Sequence, residues 1–342
     1  MFWFGKKRKK LQAVLSLIDK NGKPNLGELA AITKNIRLVE LNLKSFGYDL
    51  ARKLADALPV RTDTSAVHVG LASKASTQDD IESNWAAHWS AELRTPVVYH
   101  RKLWELAYVL QAIFDHGHMH PGARGLGFGC GVEPIPSYLA SKGIFATVTD
   151  LPHPQAQSKG WVDTNQHLQA LDSAFHAHLV DRETFDRFVD LQEVDMNRIP
   201  ATLNGYDFCW SMCAMEHLGS IQNGLDFLEN ALGVLRPGGL SVHTMEFNVE
   251  NDGPTIDNWP TVLFQQKHLE SIAGKLREQG HHVVDLDFNM GSKPMDKFID
   301  LPPWPHEMAK DLGQIVGESR HLKLGIDGFI ATCFGIIVRK AE

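Results

Sequence analysis

The chain has 342 residues, 43% of them hydrophobic and 22% charged, and a formal net charge of −7. That length accommodates one large α/β domain with a helical extension, or two domains of ordinary size. The acidic balance argues against nucleic acid as a partner, because phosphate binding draws on an excess of Lys and Arg. No apolar run reaches the roughly 18 residues that span a bilayer.

At the start, Phe2, Trp3 and Phe4 precede the basic run Lys6–Lys10, without the apolar segment and cleavage site of a signal peptide. This reads as a solvated terminus. From 28 to 58, Ile32, Ile36, Val39, Leu43, Phe46, Leu50, Leu54 and Leu58 recur at helical spacing, which predicts one long or two short amphipathic helices. Pro59 to Ser65 has the composition of a linker. Residues 78–115 again read as helical, with Trp85, Trp89, Trp104 and Leu110 among the apolar positions and a break at Pro96. The expected organisation is an N-terminal helical extension over 1–65, a helical segment over 66–120, and a larger unit over 121–342.

From Pro121 onward, short β-prone runs alternate with amphipathic stretches, the signature of a mostly parallel sheet covered by helices. Strands are expected near 124–128, 145–149, 190–194, 206–211, 239–245, 282–288 and 330–338. Helices fit at 134–142, 222–235 and 265–279. The fold class is therefore α/β, doubly wound, with a seven-stranded sheet. Cys130, Cys209, Cys213 and Cys333 fall in apolar runs and form no Cys-x-x-Cys pair, which fits reduced thiols in a cytoplasmic protein.

The strongest local signal is the run from Gly125 to Pro136, which contains Gly127, Gly129 and Gly131 between a predicted strand and a predicted helix. Glycines let a strand end turn sharply and bring backbone amides close to a ligand, and Pro134 suits the first turn of the helix. Nineteen residues after Gly131, the strand Phe145–Asp150 ends in an acid. In nucleotide-binding α/β folds such an acid accepts hydrogen bonds from ribose hydroxyls; capping the turn before Leu151 is the other reading. A dinucleotide loop places a third glycine where this chain has Pro134, which disfavours NAD.

These segments together resemble the class I S-adenosylmethionine-dependent methyltransferases over residues 121–338, with a Rossmann-like catalytic domain. Gly129 and Gly131 match the family's glycine loop. Glu133 replaces its last glycine, and Gly127 stands where an acid is usual. The resemblance implies S-adenosyl-L-methionine as cofactor. Glu133 is then near its ammonium group or at the helix start, Asp150 on the ribose, and Asp195 with Met196 at the adenine. The segments Tyr206–Leu218 and Leu235–Gly239 resemble the fourth strand with its exit and the turn before the fifth. Residues 322–338 would complete a terminal hairpin.

Methyl transfer in such a fold takes place at the carboxyl ends of the fourth and fifth strands. His217 and His243 are the candidate bases there, and Glu216 and Glu246 could position the acceptor or hold a metal. The helices over 66–120 would form a lid, with Trp89 and Tyr99 stacking on an acceptor and Arg101 binding a carboxylate or phosphate. The run His116-Gly-His-Met-His120 lacks a carboxylate or cysteine partner and reads as surface, so no metal site is assigned. The reading is methyl transfer to a small-molecule or glycan acceptor, at oxygen. A non-catalytic module with the same fold and an NAD-type oxidoreductase are the alternatives.

Overall fold

The computed structural model describes residues 12, 15–59, 61, 65–152, 171–258 and 260–342. The basic run Lys6–Lys10 and positions 60 and 62–64 of the expected linker lie outside them. Residue contacts divide the chain into two compact units, 1–50 with 303–318 and 51–302 with 319–342. The segment 66–120 therefore belongs to the same unit as the sheet. No described helix is long and apolar enough to cross a membrane.

In the first unit, helix α1 (Leu26–Asp56) runs unbroken across the span that the spacing predicts and continues into the second unit. Its Lys44 lies 4.9 Å above the ring of Trp304, a cation–π contact within that unit.

The second unit opens with β1 (Ser73–Lys74), α2 (Gln78–Ile81), α3 (Asn84–Glu92) and α4 (Arg101–Asp115). The alternating part follows: β2 (Arg124–Phe128), α5 (Ile135–Ser141), β3 (Phe145–Asp150), α6 (Arg182–Phe188), β4 (Val189–Glu193) and β5 (Tyr206–Met212). Next come α7 (Ile221–Ala231), β6 (Leu235–Asn248), α8 (Gln266–Glu278), β7 (His282–Val283), β8 (Leu286–Asp287), α9 (Pro294–Lys297) and β9 (Ile299–Asp300). The chain ends, after α10 (Lys310–Val316) of the first unit, with β10 (Lys323–Ile326) and β11 (Phe329–Arg339).

The main sheet runs β4-β3-β2-β5-β6-β11-β10-β9, with β7 also paired to β11. Strands β2 to β6 pair in parallel, and β11 runs antiparallel to β6 from Ala331↔Asn248 to Arg339↔Leu240. Both faces of a parallel sheet are covered, so its strands are nearly continuous apolar runs; Phe208, Cys209 and Trp210 are all fully buried. Order in the sheet reverses between β2 and β5. In an open α/β sheet, the crevice beyond the strand ends at that point is where ligands bind.

Three local details differ from expectation. The single strand foreseen over 282–288 is two: β7 pairs with β11, whereas β8 leaves to pair with β1. Residues 236–239 are a bulge rather than a free turn, since the register jumps from Tyr206↔Leu235 to Phe208↔Leu240. The sheet also gains β9, parallel to β10. The terminal hairpin is present, closed by Asp327 and Gly328 at φ 47° and 86°. Two consecutive positive values are what a two-residue hairpin turn needs, and Asp-Gly suits them.

Helix α4 packs on the sheet where β11 carries Gly335. A Cβ there would lie 2.2 Å from the Tyr108 ring, so the glycine is required by close approach. Gly335→Ala is expected to destabilise the protein by about 1–3 kcal/mol through overpacking. Gly274, inside α8 with nothing within 4 Å of its added Cβ, should instead gain about 0.5–1 kcal/mol on change to Ala. Urea unfolding of both variants checks the pair.

Candidate active site

The site starts at the end of β2. Gly129 and Gly131 have φ of 60° and 52°, in the left-handed region that side chains resist. Gly127 is needed for another reason. It pairs with Trp210 of β5, and a Cβ there would lie 2.5 Å from the indole and 2.3 Å from the Cys130 sulfur. No side chain fits, so the acid usual at that position has no room. The same indole donates its Nε1 hydrogen to Glu133 at 2.6 Å, and Glu133 faces the cavity beside the loop. Burial pushes the Glu133 carboxyl up to about 8, with the Trp210 hydrogen bond the largest opposing influence.

The cavity has a volume of ≈ 370 Å³. One wall is formed by Gly129, Gly131, Glu133, Asp150, Asp195 and Met196. Asp150 ends β3; it accepts from the Gly131 amide at 3.3 Å and the Leu151 amide at 2.7 Å. Asp195 follows β4 and accepts from the Asn197 amide at 2.9 Å. Its neighbour Met196 is buried, with its sulfur close to Gly129.

The cavity is further lined by Lys102, Cys213, Ala214 and His217, with Ala214 packed beside Gly129. His100 caps α4 by accepting from the Lys102 amide at 3.1 Å, which fixes the helix start and with it Lys102. Cys213 holds a left-handed φ of 45°, and its amide donates to the Thr244 carbonyl at 3.0 Å. His217 Nδ1 donates to the Pro260 carbonyl at 2.9 Å; that leaves Nε2 as the proton-accepting nitrogen of the neutral ring. Burial lowers the His217 pKa to about 4, against the opposing Pro260 bond.

Behind these residues lies a buried polar cluster. Arg101 donates to Glu246 and lies 3.7 Å from the Cys333 sulfur. Glu105 pairs with Lys102 at 3.3 Å and accepts from Thr244 at 2.9 Å and from Cys333 at 3.0 Å. Glu216 is fully buried, and neither of its carboxylate oxygens has a hydrogen-bond partner among the described residues. Burial pushes its carboxyl up to about 7. Its own backbone amide opposes that rise without reaching hydrogen-bond geometry.

Several expected site residues stand elsewhere. His243 is buried within β6, both ring nitrogens held by Ser211 and Ser241 at 2.7 Å, and burial drives its pKa to about 3. It lies outside the cavity wall and cannot act as the base. Trp89 is a core residue whose indole donates to Gln111 at 2.7 Å. Tyr99 is likewise buried, its hydroxyl bonded to Glu82 at 2.8 Å. Neither lines the cavity, because aromatic bulk on an amphipathic helix goes to the core first. The Arg101 charge is matched by Glu246, so it is not an open anion site, and Gly127 supports the loop from beneath Trp210. His116 and His118 border a different cavity with Arg236 and Arg339. The sequence reading missed Lys102 and Cys213 as wall residues; the only advance signal was their closeness to Arg101 and Glu216.

Residues 126–242 match the family described as a methyltransferase domain. No curated protein matches the chain. Among solved structures the chain is similar to the [4+2]-cyclase SpnF, at 16% identity over 70% of this chain and 83% of that one, with a TM-score of 0.41. It is similar to Haemonchus contortus phosphoethanolamine N-methyltransferase 2, at 14% identity over 68% of this chain and 52% of that one, with a TM-score of 0.40. An S-adenosylmethionine-dependent methyltransferase from Mesorhizobium loti is 12% identical over 67% of this chain and 96% of that one, with a TM-score of 0.39. With the family match falling on the glycine loop, β3 to β5 and the start of β6, the chain carries a class I methyltransferase domain. Residues 126–242 thus form a methyltransferase domain, for which S-adenosylmethionine is the cofactor.

The raised Glu133 pKa makes a signed prediction. From the ordinary value of 4.5 up to about 8, the unfolded chain ionises Glu133 while the folded protein keeps it protonated. The stability that this site contributes is complete below the lower value and falls as pH rises to the upper one, by at most about 1.4 kcal/mol per pH unit. Glu133→Gln should therefore flatten the decline between those limits. Urea unfolding across that range, without cofactor, measures it; identical slopes in the two proteins would refute the assignment.

Proposed function

We propose that the chain methylates a hydroxyl group of a small-molecule or glycan acceptor. The observation that carries this reading is one cavity that brings the glycine loop and the acids at the ends of β3 and β4 together with Lys102, Cys213 and His217. S-adenosylmethionine supplies a methyl group already made electrophilic by its sulfonium. The protein's tasks are to hold the cofactor, align the acceptor with the methyl–sulfur bond, and accept a proton.

In this reading Asp150 accepts hydrogen bonds from the ribose hydroxyls. Asp195 meets the adenine amino group, and Met196 packs on the ring. The Glu133 carboxyl, which ionises when the cofactor's ammonium group binds beside it, takes the place of the acid for which Gly127 leaves no room. His217 takes the acceptor proton on Nε2, its other nitrogen being committed to Pro260. A neutral ring with a proton-accepting nitrogen suits a hydroxyl acceptor, which must lose a proton as the oxygen–methyl bond forms.

Calorimetry with S-adenosylmethionine tests the cofactor half. Wild type should bind in the micromolar range, and Asp150→Ala should weaken binding by at least about tenfold, the loss of roughly one charge-assisted hydrogen bond. Failure of the folded wild type to bind would overturn the reading. The acceptor half is tested by following S-adenosylhomocysteine release over a panel of hydroxylated and amino acceptors. With an accepted hydroxyl compound, His217→Ala should lower kcat by about 10²–10⁴-fold while leaving cofactor affinity near wild type. Turnover only with amines would refute the oxygen assignment.

A further inference from the structure

The polar cluster behind the cavity has one charge too many of a single sign. Arg101 answers Glu246, and Lys102 answers Glu105. Glu216, fully buried, has no hydrogen-bond or ion-pair partner among the described residues, although Lys102 and Arg101 act on it at longer range. Burying an unpaired carboxylate is strongly unfavourable, so such a group calls for a ligand.

Two further donors converge on it. The Cys213 sulfur, one oxygen of Glu216 and one of Glu246 all lie within 4.8 Å of one another. Glu246 uses Oε1 for Arg101, whereas its buried Oε2 has no hydrogen-bond partner among the described residues. Three metal-ligating side chains thus meet: the carboxylates have unpartnered oxygens among the described residues, and the Cys213 sulfur, 3.5 Å from that of Cys333, would exchange this weak contact for the metal. Metal–sulfur and metal–oxygen bonds of about 2.0–2.3 Å put tetrahedral ligand atoms roughly 3.5 Å apart, so only a small contraction is needed.

We infer that Cys213, Glu216 and Glu246 form a binding site for one divalent transition-metal ion, Zn²⁺ being the ion whose chemistry fits them best. A thiolate beside carboxylates selects borderline ions over Mg²⁺ or Ca²⁺, which prefer all-oxygen sites. Charge agrees. Three anionic ligands exceed the ion by one charge, Arg101 cancels that excess, and Lys102 with Glu105 is already neutral. Cys213 is also part of the cavity wall. The ion therefore sits at the cavity edge with three protein ligands, the number that leaves a position for water or an acceptor oxygen. There it would lower the pKa of a bound hydroxyl.

The site does not depend on the acceptor proposal, and it is tested on the full chain alone. After chelation and dialysis, Co²⁺ titration should give a thiolate-to-cobalt charge-transfer band saturating at one ion per chain and abolished by Zn²⁺. Cys213→Ser should lose the band and Cys209→Ser should keep it. Glu216→Gln should weaken Zn²⁺ binding, measured by calorimetry, by at least about tenfold. Because a variant could misfold, the wild type supplies a second readout. Zn²⁺ should protect Cys213 from alkylation, mapped by peptide mass spectrometry, while Mg²⁺ should not. Absence of the band, or alkylation of Cys213 unaffected by Zn²⁺, overturns the proposal. Parallel S-adenosylmethionine calorimetry keeps failure of the ion site distinct from failure of the cofactor site.

Discussion

The indole of Trp210 lies across the backbone at Gly127, and the cofactor wall is arranged around that one contact. Register pairs these two residues on adjacent parallel strands, so the large side chain of one requires the smallest residue at the other. Overpacking a site with a Cβ at 2.5 Å cannot be relieved by a flexible chain end, because an indole ring and a strand backbone are both stiff. An acid at the end of β2 is therefore sterically forbidden. The nearest place from which a carboxylate can reach the loop is the start of the next helix, where Glu133 stands and takes the indole hydrogen. The glycine at 127, the tryptophan at 210 and the acid at 133 are one device. Changing any of them alone leaves a clash, a gap or an unbonded indole.

A similar economy joins α4 to the far edge of the cavity. Its first five residues include Arg101, Lys102 and Glu105, and all three engage groups on β6 or β11 or pair with each other. Buried ion pairs add little net stability, because desolvation offsets most of their attraction. Their value lies in direction. A helix start fixed by the His100 cap, with one guanidinium committed to Glu246, can hold Lys102 at the wall in a single orientation.

What could be read in advance follows sequence distance. The glycine loop, the acid ending β3 and the helix after Pro134 depend on neighbours a few residues away, and the sequence displays them. The register that sets Trp210 against Gly127 joins positions on separate strands, and no local pattern marks it. The two histidines illustrate the same limit. His217 and His243 both follow or occupy a strand at the ligand end of the sheet, yet one sits in a turn against the cavity. The other is enclosed between Ser211 and Ser241. Strand alternation cannot separate the faces of a sheet that is buried on both sides. Trp89 and Tyr99 misled for a related reason: an aromatic side chain fits a core and an acceptor platform equally well by composition.

The residues that line the cavity also differ in where they come from. Every residue on the cofactor wall falls between 129 and 196, inside the span that matches the methyltransferase family. The rest of the lining takes Cys213, Ala214 and His217 from inside the same span but Lys102 and Leu106 from a helix that precedes it, and Glu246 and Cys333, which pair with Arg101 of that helix, come from beyond its end. In the proposed reading the shared part of the chain holds the cofactor and supplies His217, and elements outside it contribute the remaining surface toward the acceptor. Differences between acceptors should then be written in α4, the end of β6 and β11, where substitutions can alter charge and volume without touching the Trp210–Glu133 bond that holds the cofactor wall.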